Sequence, residues 1–182
     1  MSEVLRIDAF KSANTFLTGL GLDMLSINPT TDILCIMGES KKSFYKPRFP
    51  KKYIGNPNNI ICRSTWETKF CSYCDLNENI IQWASEEFSI PYISPIDNRS
   101  HQYFPDFLIK VKESTGQIKT YVIEVKPKKQ TRPPKKRKSV NKSYLYECKT
   151  FAVNTAKWKA MKEYCDDRKI GFKIITEQEL GI

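Results

Sequence analysis

Two short runs, Phe104-Pro105-Asp106-Phe107 and Ile123-Glu124-Val125-Lys126, set two carboxylates and a lysine into otherwise apolar segments. Hard oxygen ligands of this kind hold divalent cations such as Mg²⁺ or Mn²⁺. An ammonium beside them can orient a water or stabilise the charge that builds on a phosphodiester under attack. Asp106, Glu124 and the Val125 carbonyl are therefore candidate metal ligands, with Lys126 as the cationic partner and Glu67 as a further acid for the metal edge or the attacking water. Each has a plainer reading. Glu67 suits the reciprocal cap of Ser64 in the capping-box run Ser64-Thr65-Trp66-Glu67, and Glu124 and Lys126 suit exposed strand charges. Against the plain reading, a carboxylate inside Tyr121-Val122-Ile123-Glu124-Val125 is costly unless it is paired or metal-bound.

Positioning these groups is the task of a hairpin. Period-2 alternation sends Phe107, Ile109 and Val111 to one face and Asp106, Leu108 and Lys110 to the other. Tyr121, Ile123 and Val125 likewise oppose Val122, Glu124 and Lys126. A three-residue loop over Ser114–Gly116 would set Glu113 against Gln117 and Asp106 against Glu124. A slip of one residue would put the acids on opposite faces.

Around the hairpin, a helix is expected from Ser64 to about Leu76, with an apolar stripe of Trp66, Phe70, Tyr73 and Cys74. A strand at Glu86–Ile93, interrupted or made an edge by Pro91, precedes the strands Tyr103–Val111 and Lys119–Lys126. A long helix runs from Ser143 to about Asp166, striped by Tyr144, Cys148, Phe151, Thr155, Trp158, Met161 and Cys165, with Gly171 suited to its C-terminal end. Phe172–Ile175 reads as a last strand, and Thr176–Glu179 as a second capping box. Residues 41–62, rich in Pro, Lys and Asn, read as an extended arm, and a helix at Asp8–Leu20 and a strand at Asp32–Met37 are expected before it. The fold class is α/β, a sheet with helices packed on it.

Composition narrows the function classes. The chain has 182 residues and a net charge of +10, with no apolar run of transmembrane length and no signal-peptide pattern, so a cytoplasmic protein is expected. The charge is uneven. Lys126–Lys142 holds nine Lys/Arg and Lys41–Tyr53 six, neither with an acid, which leaves 15 basic against 20 acidic residues elsewhere. Such strips attract polyanions, and the first begins at the candidate site lysine. Lys128, Lys129, Arg132, Lys135, Lys136, Arg137 and Lys138 are thus candidate DNA contacts to phosphate rather than to bases. Six cysteines read as free thiols, and Cys71-x-x-Cys74 as a buried helical pair lacking the partners of a zinc site. His101 is the sole histidine, which excludes His-pair nuclease chemistry, and no Gly-rich phosphate loop occurs.

Glu67, Pro105-Asp106 and Glu124-x-Lys126 resemble the motif of the PD-(D/E)xK nuclease superfamily, particularly its transposon-end-cleaving branch. More narrowly, Arg63–Glu67, Asn77–Asn79, Trp83–Glu87, Ile90–Tyr92, Tyr103–Phe107, Ile123–Arg132 and Asn154–Lys159 resemble the head-completion nucleases of T-even-type tailed bacteriophages. The resemblance implies a restriction-endonuclease-like core, a mixed central sheet flanked by helices, over residues 44–182, with residues 1–43 as an N-terminal extension. It implies Glu67, Asp106, Glu124 and Lys126 as the catalytic set, Mg²⁺ or Mn²⁺ as cofactor, and double-stranded DNA and phage head, portal or neck proteins as partners. Its role would be endo- and exonucleolytic trimming of packaged DNA in the host cytoplasm and at the head–tail neck of the virion. A structural neck protein with little catalysis and a transposase-type nuclease subunit are the competing readings.

Overall fold

The computed structural model describes residues 42–137 and 139–180. The helix and strand expected at Asp8–Leu20 and Asp32–Met37, and with them nearly all of the extension, lie outside these residues, as does Lys138. In chain order the elements are β1 (Ser43–Tyr45), β2 (Ile60–Cys62), α1 (Thr65–Leu76), β3 (Ile80–Ser85), β4 (Ile90–Ile93), β5 (Ser100–Tyr103), β6 (Phe107–Lys112), β7 (Ile118–Val125), α2 (Lys142–Asp167) and β8 (Gly171–Ile175). The central sheet has the order β3-β6-β7-β8, antiparallel except for the parallel β7–β8 pair, so it is mixed.

The hairpin adopts the expected register. Phe107 pairs with Ile123 and Lys112 with Ile118, while the Glu113 N–H donates to the Gln117 carbonyl at 2.8 Å. Gly116 supplies the left-handed residue of the loop at φ 81°. Alternation then builds two cores. Phe107, Ile109, Val111, Tyr121, Ile123 and Val125 pack with Phe70, Cys71, Tyr73 and Cys74 of α1. Val122 and Leu108 face Met161 and Cys165 of α2, together with Ile90, Tyr92 and Tyr103. The sheet thus lies between one helix on each side.

Local signals fixed both helix starts. Ser64 caps α1, its Oγ accepting from the Glu67 N–H at 3.1 Å. Asn141 rather than Ser143 caps α2, accepting from the Tyr144 N–H at 2.9 Å. The Thr176–Glu179 box forms, with Glu179 Oε2 accepting from the Thr176 N–H at 2.8 Å.

Other expectations need correction too. The Glu86–Ile93 strand is shorter, being β4 alone, and pairs only with β5 in a separate two-stranded sheet, where Pro91 sits without a missing ladder bond in the main sheet. The strand that does pair with β6 is β3, which the sequence reading missed. Thr155 of α2 is exposed, its hydroxyl bonded back to the Phe151 carbonyl, and the packing face runs instead through Val153, Asn154, Ala156, Ala160, Met161 and Cys165. Gly171 opens β8, because the helix ends at Arg168 and Lys169 takes the left-handed turn; a side chain at 171 would meet the Tyr121 ring.

Within the described part of residues 41–62, the chain is no free arm. It forms the β1–β2 pair and one short helical turn, Pro50–Lys52, docked on α1. Fully buried Asp75 accepts from the Arg48 N–H at 2.6 Å, the Phe49 N–H at 3.0 Å and the Tyr45 hydroxyl at 3.2 Å. Lys52 Nζ donates to the carbonyls of Cys74, Asp75 and Asn77 at 3.2, 2.8 and 2.7 Å, closing the C-terminal end of α1. Removing the Asp75 carboxylate strands two backbone donors. Asp75→Ala should lower unfolding free energy by about 3 kcal/mol in urea melts. A loss below about 1 kcal/mol would mean that the segment holds by apolar packing alone.

Candidate active site

The antiparallel register brings Asp106, just before β6, beside the end of β7. Buried Pro105 fixes the approach, and the Asp106 carbonyl accepts from the Glu86 N–H at 3.3 Å. Asp106 Oδ2 accepts from the Val125 N–H at 2.7 Å and from Lys126 Nζ at 3.2 Å. Lys126 Nζ also stands 3.0 Å from Glu124 Oε1 and donates to the Val125 carbonyl at 3.2 Å. One ammonium therefore touches three of the four groups expected to ligate a metal, Asp106, Glu124 and the Val125 carbonyl, but not Glu67. Glu124 is 2% exposed, and its other oxygen accepts from the Tyr103 hydroxyl at 2.5 Å.

The charges do not balance here, since two acids face one amine. Burial, then the Glu124 charge, pushes Asp106 up to about 7 despite the pull of Lys126 and the Val125 N–H. Burial alone would lower Lys126; the charges of Asp106 and Glu124 more than reverse that and hold it above the usual lysine range. The two directions agree on one fact: the cluster is rich in negative charge for its depth.

Tyr103, which the sequence did not mark as a site residue, is buried and joins this group. Burial first, and the Glu124 charge second, raise its hydroxyl above the usual tyrosine range, so it stays a donor. Lys157 of α2 lies over the Tyr103 and Tyr92 rings, 5.4 and 5.6 Å from their centroids. A tyrosine two residues before Pro-Asp gave no sequence signal of this bond, because its partner is 21 residues away.

Glu67 keeps its capping duty. Its carboxylate accepts from the Arg63 N–H at 2.7 Å and the Ser64 hydroxyl at 2.9 Å, and its charge contributes to raising Asp106. Arg63 pairs with Glu86, which has a left-handed backbone at φ 54°. Among the described residues no three His, Cys, Asp or Glu side chains are grouped to hold one ion, so two carboxylates and a carbonyl are the close set.

Of the basic strip, Lys129 and Arg137 both pair with Glu147, at 3.0 and 2.9 Å, and Lys128 Nζ donates to Gln178 at 2.8 Å. Arg132, Lys135 and Lys136 are exposed. Cys71 and Cys74 are buried on α1 with Cys71 Sγ 3.5 Å from Cys62 Sγ, and the cysteines of the described residues are free. No helix of the described residues is long and apolar enough to cross a membrane.

A family model described as the TnsA-like endonuclease N-terminal domain matches residues 77–177, more than half of the chain. The chain belongs to the TnsA-like endonuclease family. Its sheet and flanking helices are accordingly of the restriction-endonuclease-like type. It is also 41% identical over 138 residues to the head completion nuclease of Enterobacteria phage T4, covering 74% of this chain and 89% of that protein. The matched TnsA-like region contains Asp106, Glu124 and Lys126 but begins after Glu67.

A carboxyl group raised on folding favours the folded state below its unfolded value near 4 and loses that contribution as pH climbs through about 7. With chelator present, Asp106→Asn should therefore raise the melting midpoint by a few degrees at about pH 8 and by much less at about pH 4.5. Equal midpoints for both proteins at about pH 8 would show that the second carboxylate is ionised at no cost.

Proposed function

We propose that the chain is a Mg²⁺- or Mn²⁺-dependent deoxyribonuclease that cuts or trims packaged double-stranded DNA, by endo- and exonucleolytic steps, in phage head completion. One observation carries the reading. The Lys126 ammonium lies within 3.2 Å of oxygens from Asp106, Glu124 and Val125, where a resident cation would share the same three groups. The donors fit a divalent ion in kind, being hard oxygens with a surplus of negative charge. When bound, such an ion polarises a phosphoryl oxygen and makes a water more acidic.

The chain's own residues do the rest. Asp106 and Glu124 hold the ion, and the Val125 carbonyl adds a neutral oxygen. Asp106 stays aimed through its bond from the Val125 N–H, and Glu124 through the Tyr103 hydroxyl, which occupies one carboxylate oxygen and leaves the other to the site. Lys126, no longer needed to neutralise the acids, presents its ammonium to a phosphate oxygen as negative charge develops there. Glu67 stands at the margin, with a carboxylate able to accept from the attacking water.

Residues 44–182 make up the nuclease domain in this reading, and residues 1–43 are an added extension. Lys128, Lys129, Arg132, Lys135, Lys136, Arg137 and Lys138 follow the DNA backbone through phosphate charge, so binding weakens steeply with salt. The relative's printed name, a head completion nuclease, supports a part in head completion; in this reading the chain works during assembly in the host cytoplasm, against head, portal or neck proteins at the head–tail junction.

Glu124→Gln and Lys126→Ala should each cut plasmid DNA at least roughly 100-fold more slowly at saturating Mg²⁺, with unchanged far-ultraviolet dichroism. Normal cutting by either variant refutes the assignment. Tyr103→Phe should leave the maximal rate within a few-fold but raise the Mg²⁺ concentration for half-activity by roughly 10-fold. An unchanged metal dependence would reduce Tyr103 to a packing residue.

A further inference from the structure

A cavity of about 600 Å³ opens between the basic loop after β7 and the first turns of α2. Its size lies in the range of sites that take a single small ligand, about 300–1,000 Å³. Pro134, Tyr146 and Phe151 give it apolar and aromatic walls, while Lys129, Lys135 and Arg137 supply cations around them. Tyr146 is 73% exposed, so its ring is open to a ligand. Glu147, also in the wall, fixes Lys129 and Arg137 by ion pairs, and Arg137 lies 5.5 Å from the Tyr144 ring centroid. Two cations are thus held in place around one acid, which leaves the wall positive.

Duplex DNA makes poor use of such a hollow. Its bases are stacked inside and its phosphates need only a row of cations. An unpaired nucleotide uses all of it: a planar ring for the aromatic wall and phosphates for the cations. One wall of the cavity begins near the site lysine. Lys129 follows Lys126 by three residues, so at most about 11 Å of chain separates their backbones. That is a few nucleotides at about 3.4 Å of rise each.

We propose that this cavity takes an unpaired base of single-stranded DNA, its ring stacked on Tyr146 and its phosphates met by Lys129, Lys135 and Arg137. DNA carrying an overhanging or frayed end is then the preferred substrate. This deepens the nuclease reading and rests on it.

The test is fluorescence anisotropy of the full chain with a labelled duplex, blunt or carrying a short single-stranded overhang, in Ca²⁺ to suppress cutting. The overhang should bind roughly 10-fold tighter than the blunt end. Tyr146→Ala should erase that difference and leave blunt-end affinity unchanged, and Tyr146→Trp should retain it. Equal affinity of the wild-type protein for both ends overturns the proposal, as does a Tyr146→Ala protein that keeps the preference or loses affinity for both ends alike. Plasmid cutting in Mg²⁺, run in parallel, separates the two ideas. Normal cutting without overhang preference sinks the cavity proposal alone. Overhang binding sensitive to Tyr146, with no cutting of any DNA, sinks the nuclease reading and supports the cavity.

Discussion

Everything in this molecule converges on the cost of keeping two carboxylates together out of water. Asp106 and Glu124 repel each other, and burial makes that repulsion harder to screen. The protein answers with one lysine, one tyrosine hydroxyl and one backbone N–H, each aimed at a carboxylate oxygen. These donors offset the cost without cancelling it, as the raised Asp106 shows. The site is left with more negative than positive charge.

The sheet makes this arrangement possible by dividing labour between its faces. On one face, β6 and β7 present aromatic and branched side chains to α1, forming the larger core. On the other, Val122 and Leu108 meet α2 toward the helix's later turns, and the same face carries Glu124 and Lys126 where β7 ends. The acids therefore stand at the edge of a packed surface rather than in its middle. There the backbone remains rigid while the Lys126 side chain stays 24% exposed.

How much of this the sequence disclosed depends on the range of the interaction. The β6–β7 register was legible because it needs only alternation and a loop with one Gly, all within about 20 residues. The caps at Ser64 and Thr176 were legible because each closes within three residues. β3 was missed because Ile80-Ile81-Gln82-Trp83-Ala84-Ser85 does not alternate cleanly, and its register with β6 shifts between Ile80 and Gln82. Residues 41–62 passed for a loose arm because their hold comes from Asp75 and the end of α1, more than twenty residues on. Tyr103 escaped notice for the same reason, and Thr155 because a long helix with few apolar residues leaves its inward side ambiguous by one position. Glu67 caps α1, as the Ser64-Thr65-Trp66-Glu67 spacing indicated, and its charge adds to those that raise Asp106.

The parallel pairing of β7 with β8 has a consequence for synthesis. Glu124 pairs with Ile174, and the Lys126 N–H donates to the Ile175 carbonyl at 2.9 Å, across the whole of α2. The strand bearing Glu124 cannot gain its second neighbour until some fifty further residues have left the ribosome. A nascent chain thus holds its reactive groups in an unfinished frame, and competence arrives only once β8 has emerged. For an agent that attacks DNA, this topology acts as a built-in delay.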